Sequence, residues 1–401
     1  MGGAAIADRF DLLRPAGRGG MGEVWEAIDR RDGLRVALKL LLSEMATDPS
    51  IRARFIKEAE LLAALDHACI VGYVAHGDGS DGRPWLAMRW LTGEDLDARL
   101  RRGRLSIAES CALARRVTEG VSALHSRGFI HRDVKPANVF LVDGDPHRAV
   151  LLDVGIARAT ASVARLTRTN GVIGTVGYMA PEQARGEPSI DARADLFAIG
   201  CVLYECLAGE PPFAGNQPAA VLAKVLFDEP APLLTVRPDV PAALARLVEA
   251  TLAKEPAQRP ADGAALIRLL DRPAAADTEL AQTTILSTEE LRVSTVLFLH
   301  VEPGAREAVI ERAAIFGERA VCLLDGTVVA AMRAGGPATD RAVRAARCAL
   351  SLQQLPGVSG VAIATGRAAS RSGQLVGPVV ESFATSPRVT TRVECRRQSW
   401  Q

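Results

Sequence analysis

The chain has 401 residues, enough for two or three domains, and its 48% apolar and 24% charged residues are ordinary for a folded globular protein. Lys plus Arg is 48 against 47 for Asp plus Glu, a formal charge of +1, which gives no global case for a nucleic-acid or anionic-membrane partner. Seven scattered cysteines with no C-x-x-C spacing argue against a disulfide framework and read as thiols of a reducing cytosol.

The opening residues MGGAAIADRFDLL lack a basic segment followed by an apolar one, so they do not read as a secretory signal. No apolar run reaches the ~18 residues of a membrane-spanning helix. The longest, Val293 to Val301, is strand-sized. A cytoplasmic protein without a membrane partner is expected.

The first 90 or so residues read as strand-rich with one helix. Residues 17–24, GRGGMGEV, contain G-x-G-x-x-G, which marks a tight turn as readily as a phosphate cradle. Residues 36–42, VALKLLL, form a strand with Lys39 inside it, and a buried lysine needs a partner. Residues 51–65 repeat apolar positions at helical spacing, with Glu58 on the face of Phe55, Leu62 and Leu65. Glu58 is either that partner or an ordinary solvent-facing glutamate. Residues 85–91 read as another strand.

From about 95 to 271 helical patterns dominate, strongest at 107–126 and 194–208. The second is apolar almost all round, which predicts a buried central helix. Residues 241–270 read as two helices around the corner KEPAQRP. Between the 107–126 and 194–208 patterns lies HRDVKPANVF, residues 131–140, which packs charged side chains and an amide into one short loop. As a catalytic loop it is coherent. Asp133 can accept a hydroxyl proton, Lys135 can neutralise a phosphoryl group, and Asn138 can offer an amide oxygen to magnesium. In LLDVGIAR, residues 151–158, Asp153 sits in an apolar run and is either a turn residue or a metal ligand.

Residues 272–291 are polar, Ala- and Thr-rich and without period, and read as a linker. Beyond it come strand (293–301), helix (304–316), strand (320–324), an Asp-Gly turn, strand (327–332), helix (338–353) and strand (359–364). This β-α-β-β-α-β order is the split ferredoxin-like arrangement.

Taken in order, these motifs resemble a bacterial eukaryotic-like serine/threonine protein kinase over about residues 8–271. The resemblance implies an α+β, two-lobed kinase fold, with a β-rich lobe at about 8–91, a helical lobe at about 92–271, and a small ferredoxin-like α/β domain after it. It implies ATP and Mg2+ as cofactors, protein serines and threonines as substrates, and autophosphorylation in bacterial signal transduction. By the family's pattern Gly17, Arg18, Gly19, Gly22 and Val24 cover ATP. Ala37 and Leu91 line the adenine pocket, and Met88 stands at its back. Lys39 holds the phosphates and pairs with Glu58, Asp133 and Lys135 are catalytic, and Asn138 and Asp153 are the metal ligands. GTVGYMAPE, residues 174–182, resembles the end of an activation segment, with Thr175 near Asp133. Thr175 and Lys135 point to Ser/Thr rather than Tyr transfer. Glu182 and Arg259 would form a buried ion pair, and Asp195 would hold the catalytic loop's backbone. Arg132 implies control by loop phosphorylation, with Thr167 or Thr169 as the expected site among Thr160, Ser162, Thr167, Thr169 and Thr175. Two positions depart from the pattern. Val154 replaces a phenylalanine that packs near Leu62 and His131, and Arg89 stands at an often acidic hinge position.

Residues 292–385 resemble a class III nucleotide cyclase homology domain in degenerate form, followed by a tail at 386–401. His300 stands where a metal-binding Asp would be, Asp325 matches the second, and Glu381 and Thr385 replace the catalytic Asn and Arg. The resemblance implies a regulatory domain for ligand sensing or dimerisation, so a homodimer through either domain is expected. The Thr-rich linker, with Thr278, Thr283, Thr284 and Thr288, reads as a spacer first and a phosphosite cluster second. A nucleotide-binding pseudokinase scaffold and a bifunctional kinase–cyclase are the alternatives.

Overall fold

The computed structural model describes residues 5–6, 8–19, 22–153, 173–215, 217–271, 291–316, 319–322, 327–331, 338–371 and 374–376. These fall into two compact units. One takes in the residues up to 153 with 191–209 and 260–271; the other takes in 173–190, 210–259 and the residues from 291 on.

In the first unit, six strands form one antiparallel sheet: β1 (Ala5–Ile6), β2 (Phe10–Arg18), β3 (Gly22–Asp29), β4 (Arg35–Leu41), β5 (Tyr73–Asp78) and β6 (Pro84–Arg89), ordered β1-β2-β3-β4-β6-β5. Alternation along β4 decides which side chains go where. Val36, Leu38 and Leu40 pack with Phe10, Ala27, Trp85 and Ala87 on one face. Ala37 and Lys39 therefore point to the other. A single turn α1 (Ser43–Ala46) precedes α2 (Pro49–Ala63), so the segment holds one more helical turn than expected. The main helix begins two residues earlier than its apolar period. Asp48 caps it by accepting from Ser50 N at 2.8 Å, and Pro49 suits the first helical position. Ile51, Phe55, Ala59 and Leu62 seat α2 against Leu86 and Met88.

A second sheet is built from β7 (Gly93–Asp95), β8 (Val139–Val142) and β9 (Ala149–Leu151), ordered β7-β8-β9. Gly93 has φ +141°, and a Cβ there would stand 2.0 Å from Leu141 O, so only glycine fits. Between β7 and β8 run α3 (Leu96–Leu100) and α4 (Ile107–His125). A capping box starts α4: Ser106 Oγ accepts from Glu109 N, and Glu109 Oε2 accepts from Ser106 N at 2.8 Å.

The elements that follow are α5 (Pro181–Arg185), α6 (Arg193–Ala208), α7 (Pro218–Phe227), α8 (Leu233–Val236), α9 (Ala242–Thr251) and α10 (Gly263–Leu270). The all-apolar reading of 194–208 holds: every residue of α6 from Ala194 to Leu207 is buried, Asp195 and Glu205 included. The two helices expected over 241–270 are α9 and α10, separated by a short 3-10 turn at Pro256–Gln258. That corner carries Arg259, which is inaccessible to solvent. It forks onto Glu182 with Nη1–Oε1 at 2.6 Å and Nη2–Oε2 at 2.8 Å, and its Nε donates to Ala253 O at 2.8 Å. The expected Glu182–Arg259 pair is thus present.

The C-terminal residues form a five-stranded antiparallel sheet with two helices on one face. Its elements are β10 (Leu291–Val301), α11 (Arg306–Ile315), β11 (Arg319–Cys322), β12 (Thr327–Ala331), α12 (Ala338–Gln353), β13 (Val358–Arg371) and β14 (Gln374–Val376), ordered β11-β12-β10-β13-β14. Leu297, Leu299 and Val301 of β10 meet Val309 and Ala313 of α11 and Leu352 of α12 in its core. The element order follows expectation, but β13 runs seven residues further than the expected 364. It stays paired with β10 back to Leu291, where Leu291 faces Ala369. Leu291 therefore belongs to the sheet rather than the linker. Residues 272–290 and the Asp325–Gly326 turn lie outside the described residues, as do Glu381 and Thr385.

Removing one partner of a buried, hydrogen-bonded ion pair leaves the other charge without compensation. Arg259→Ala is expected to destabilise the chain by about 3–5 kcal/mol, and adding Glu182→Ala to recover part of that. Chemical denaturation of the single and double variants checks it; a double variant no better than the single would contradict it.

Candidate active site

On the face of β4 opposite Leu38 and Leu40, Lys39 meets two carboxylates. Its Nζ lies 2.7 Å from Glu58 Oε1 and 2.5 Å from Asp153 Oδ1. Glu58 sits in the middle of the buried face of α2, which is tolerable because Lys39 is there. Burial alone would lower the Lys39 pKa. The Asp153 and Glu58 carboxylates outweigh that and hold it above the usual lysine value. Burial pushes the Glu58 carboxyl up to about 7, against the pull of Lys39. Burial would also raise Asp153, but Lys39 holds it below the usual carboxylate range. Asp153 is thus kept ionised, and of the two it is the carboxylate fit to bind a cation.

The β8–β9 hairpin brings Asp153 to Asn138. Val139 faces Leu151, and Leu152 N donates to Asn138 O at 3.0 Å. Asn138 Nδ2 donates to Asp133 O at 2.8 Å and to Asp133 Oδ2 at 2.9 Å. Its amide nitrogen is committed, so its oxygen is the atom left for a cation. Lys135 Nζ donates to both Asp133 oxygens, at 3.2 and 3.0 Å. Among the described residues no group of three or more His, Cys, Asp and Glu side chains could hold a metal ion by itself. A divalent cation would take one carboxylate and one amide oxygen here and its other ligands from phosphates and water, as magnesium commonly does.

The loop carrying Asp133 is held from beneath by Asp195, which is fully buried in the first turn of α6. Asp195 Oδ2 accepts from His131 N at 2.8 Å and lies 2.7 Å from His125 Nε2, while Oδ1 accepts from Arg132 N at 2.7 Å. The helix N-terminus favours that carboxylate. Arg132 has φ +64°, an uncommon conformation for a non-glycine residue that the Asp195 bonds help to hold.

The glycine stretch is the β2–β3 hairpin. Gly17 faces Val24, Arg18 faces Glu23, and Gly19 N donates to Gly22 O at 2.8 Å. A Cβ on Gly22 would stand 2.6 Å from Leu40 O, so Gly22 is needed for the close approach of β3 to β4. Gly17 has open space where a Cβ would be, while a Cβ on Gly19 would meet Gly22 O at 3.9 Å. Val24 faces Lys39 across β3 and β4, and Ala37 faces Met88 across β4 and β6. Ala37 and Leu91 pack against the core that includes Met88, so an apolar patch adjoins Lys39. Arg18 is exposed. The strand expected over 85–91 ends at Arg89, so Trp90 and Leu91 follow it as connecting chain.

The structure therefore brings together Lys39, Glu58 and Asp153, and likewise Asp133, Lys135 and Asn138. Thr175 lies in the helical turn Ile173–Tyr178. Val154, Thr160, Ser162, Thr167 and Thr169 lie outside the described residues. Two supporting residues went unread in the sequence. One is His125, on Asp195. The other is Arg52, whose Nη1 donates to Gly82 O at 2.8 Å and Nη2 to Asp78 Oδ1 at 2.6 Å, tying the start of α2 to the β5–β6 turn. A histidine closing a helix six residues before His131 was the available signal for the first; the second leaves none in local sequence.

A lysine bridging a helix glutamate and a strand-end aspartate, next to an Asp-Lys-Asn loop, is the arrangement expected of a kinase. The protein kinase domain family matches residues 10–268. The chain belongs to the protein kinase family. Its fold in that region is two-lobed, a β-sheet lobe followed by a helical lobe. This kinase is 39% identical over 262 residues to the probable serine/threonine-protein kinase PknB of Corynebacterium glutamicum, covering 64% of this chain and 40% of that one. It is 38% identical over 282 residues to the serine/threonine-protein kinase PknA of Mycobacterium tuberculosis, covering 68% of this chain and 64% of the relative. The chain thus spans less than two thirds of the length of these relatives. The crystal structure of the Mycobacterium tuberculosis PknI kinase domain is similar with a TM-score of 0.53 and 29% identity, over 67% of this chain and 97% of that one. Among the described residues no helix is long and apolar enough to cross a membrane.

Glu58 gives this site a pH signature. Its carboxyl titrates at 4.5 ordinarily and at about 7 in the folded chain, so between those values the folded state holds a proton that the unfolded state has released. The stability it contributes is full below the lower value and lost as pH rises through the upper one. The ligand-free wild type is expected to lose thermal stability through this window, and Glu58→Gln to lose less. Parallel melting curves against pH would contradict this.

Proposed function

We propose that this kinase transfers the γ-phosphate of ATP, with magnesium, to serine and threonine hydroxyls of proteins, itself included, in bacterial signal transduction. The observation that carries the reading is Asp133, with Lys135 on both its oxygens and Asn138 on one, beside an ionised Asp153. Identity to kinases named for serine and threonine supports the acceptor class.

In this reading Asp133 orients the attacking hydroxyl and takes its proton. Lys135 holds that carboxylate and offsets charge on the transferring group. Lys39 grips the nucleotide phosphates while Glu58 keeps its ammonium in place. Asn138 and Asp153 would hold magnesium, which when bound supplies positive charge against the phosphates. Gly17, Arg18, Gly19, Gly22 and Val24 would cover the nucleotide, and Ala37, Met88 and Leu91 would receive the adenine. By the family's pattern Thr175 would belong to the acceptor side.

The domain extents proposed are kinase 8–271, linker 272–290, regulatory domain 291–385 with Leu291 moved into it by its place in β10, and tail 386–401. The order β11-β12-β10-β13, with both helices on one face, supports a ferredoxin-like reading of the third segment. Its cyclase resemblance is retained as ancestry, without cyclase chemistry: His300, exposed near the end of β10, supplies no carboxylate. Free thiols at Cys69, Cys201 and Cys206 suit a cytoplasmic setting.

The test is incubation of the full chain with labelled ATP, magnesium and casein. Wild type should label serine and threonine, on itself at Thr167 or Thr169 and on casein, and Asp133→Asn should fall by about 10²–10⁴-fold. Equal label in both would leave a nucleotide-binding scaffold.

A further inference from the structure

The turn between β5 and β6 is closed on itself. Gly79 N donates to Arg83 O at 2.8 Å, and Gly82 N donates to Gly79 O at 2.9 Å. Gly82 has φ +74°, a left-handed backbone that glycine adopts without strain. Asp81 fastens Arg83 within the turn, accepting from its backbone N at 3.0 Å and from its Nε at 2.6 Å. Those two contacts, the backbone one first, hold the Asp81 carboxyl below the usual carboxylate range.

Two contacts leave this turn, one to each face of the sheet. On one side, Arg83 Nη1 lies 3.4 Å from Glu23 Oε1 of β3. Glu23 is next to Gly22 and faces Leu40, which in turn faces Trp85, so it shares the face packed by Leu38 and Leu40. On the other side, Arg52 of α2 donates to Gly82 O at 2.8 Å and to Asp78 Oδ1 at 2.6 Å. There α2 packs on Leu86 and Met88. Among the described residues no ion pair joins Arg52 to Glu23 directly; the turn joins them, passing round the end of the sheet.

We propose that the β5–β6 turn is a clasp that couples the glycine hairpin to α2, with Arg52 and Arg83 as positioning residues for the Lys39–Glu58 pair. A movement of α2 that withdraws Glu58 from Lys39 has to break both Arg52 bonds or carry the turn with it. Carrying the turn pulls Arg83 off Glu23, beside the close approach of Gly22 to Leu40. The coupling is reciprocal, so a seated hairpin favours a seated α2 and the reverse. Each contact alone is a partly exposed pair and therefore weak; the closed turn makes them act together. The clasp exists without nucleotide, while its use in phosphoryl transfer rests on the kinase reading above.

Hydrogen–deuterium exchange of the nucleotide-free full chain tests it in wild type, Arg52→Ala, Glu23→Gln and the double variant. Glu23→Gln should speed exchange in the first half of α2, and Arg52→Ala should speed it at Gly22–Val24, each by about two- to fivefold. The double variant should show no more than the larger single change in either segment, and α9 should exchange as in wild type. Changes confined to the substituted element, changes that multiply in the double variant, or an equal rise in α9 would overturn the proposal. In phosphoryl transfer the two single variants should lose kcat/KM for ATP by a similar factor and the double variant no more. A wild type without transfer would refute the kinase reading, and the exchange pattern would still decide the clasp.

Discussion

Everything at the proposed catalytic centre hangs on one ammonium group. Lys39 lies on a strand whose other face is fully apolar, and it is stable there because Glu58 and Asp153 both reach it. That contact links three elements that are distant in sequence: β4, α2 and the chain leaving β9. A triad of this kind, with Lys39 and Glu58 largely buried and Asp153 partly exposed, contributes little net stability, since desolvation offsets most of the attraction. Its value is positional. It holds the Asp153 carboxyl below the usual range and the Glu58 carboxyl above it, so the proposed cation ligand is the more readily ionised of the two.

Asp195 plays the corresponding part for the loop. Three donors converge on one buried carboxylate, and the loop's uncommon backbone at Arg132 is held by one of them. The β8–β9 hairpin then sets Asn138 next to Asp153 by ordinary strand register. Asp133, which neither strand nor helix carries, is thus located by a buried acid below it and by Lys135 and Asn138 beside it. Tight support of this kind suits a reaction in which the protein's contribution is positioning and charge.

Much of this was legible in the sequence because the chemistry is costly to hide. A lysine in VALK, a glutamate among Phe55 and Leu62, and four functional groups within HRDVKPANVF each break the local apolar pattern, and each break marks a site. Alternation and helical period likewise located β4, α2, α4 and α6 to within two residues. What escaped was information carried by contacts between distant segments. Arg52 looks like any exposed helix arginine until the β5–β6 turn arrives beneath it. His125 is meaningful only once α6 places Asp195 against it. The end of β13 depends on how far β10 continues as its partner, and periodicity within either strand says nothing of that.

The central claim is that Lys39 and Glu58 act as one unit, with Glu58 working only through the ammonium it holds. A double-mutant cycle on phosphoryl transfer tests it most directly: kcat/KM for ATP in wild type, Lys39→Met, Glu58→Gln and the double variant. If the pair is a unit, the double variant falls no further than Lys39→Met alone. If the two losses multiply, Glu58 acts independently of Lys39 and the account is wrong.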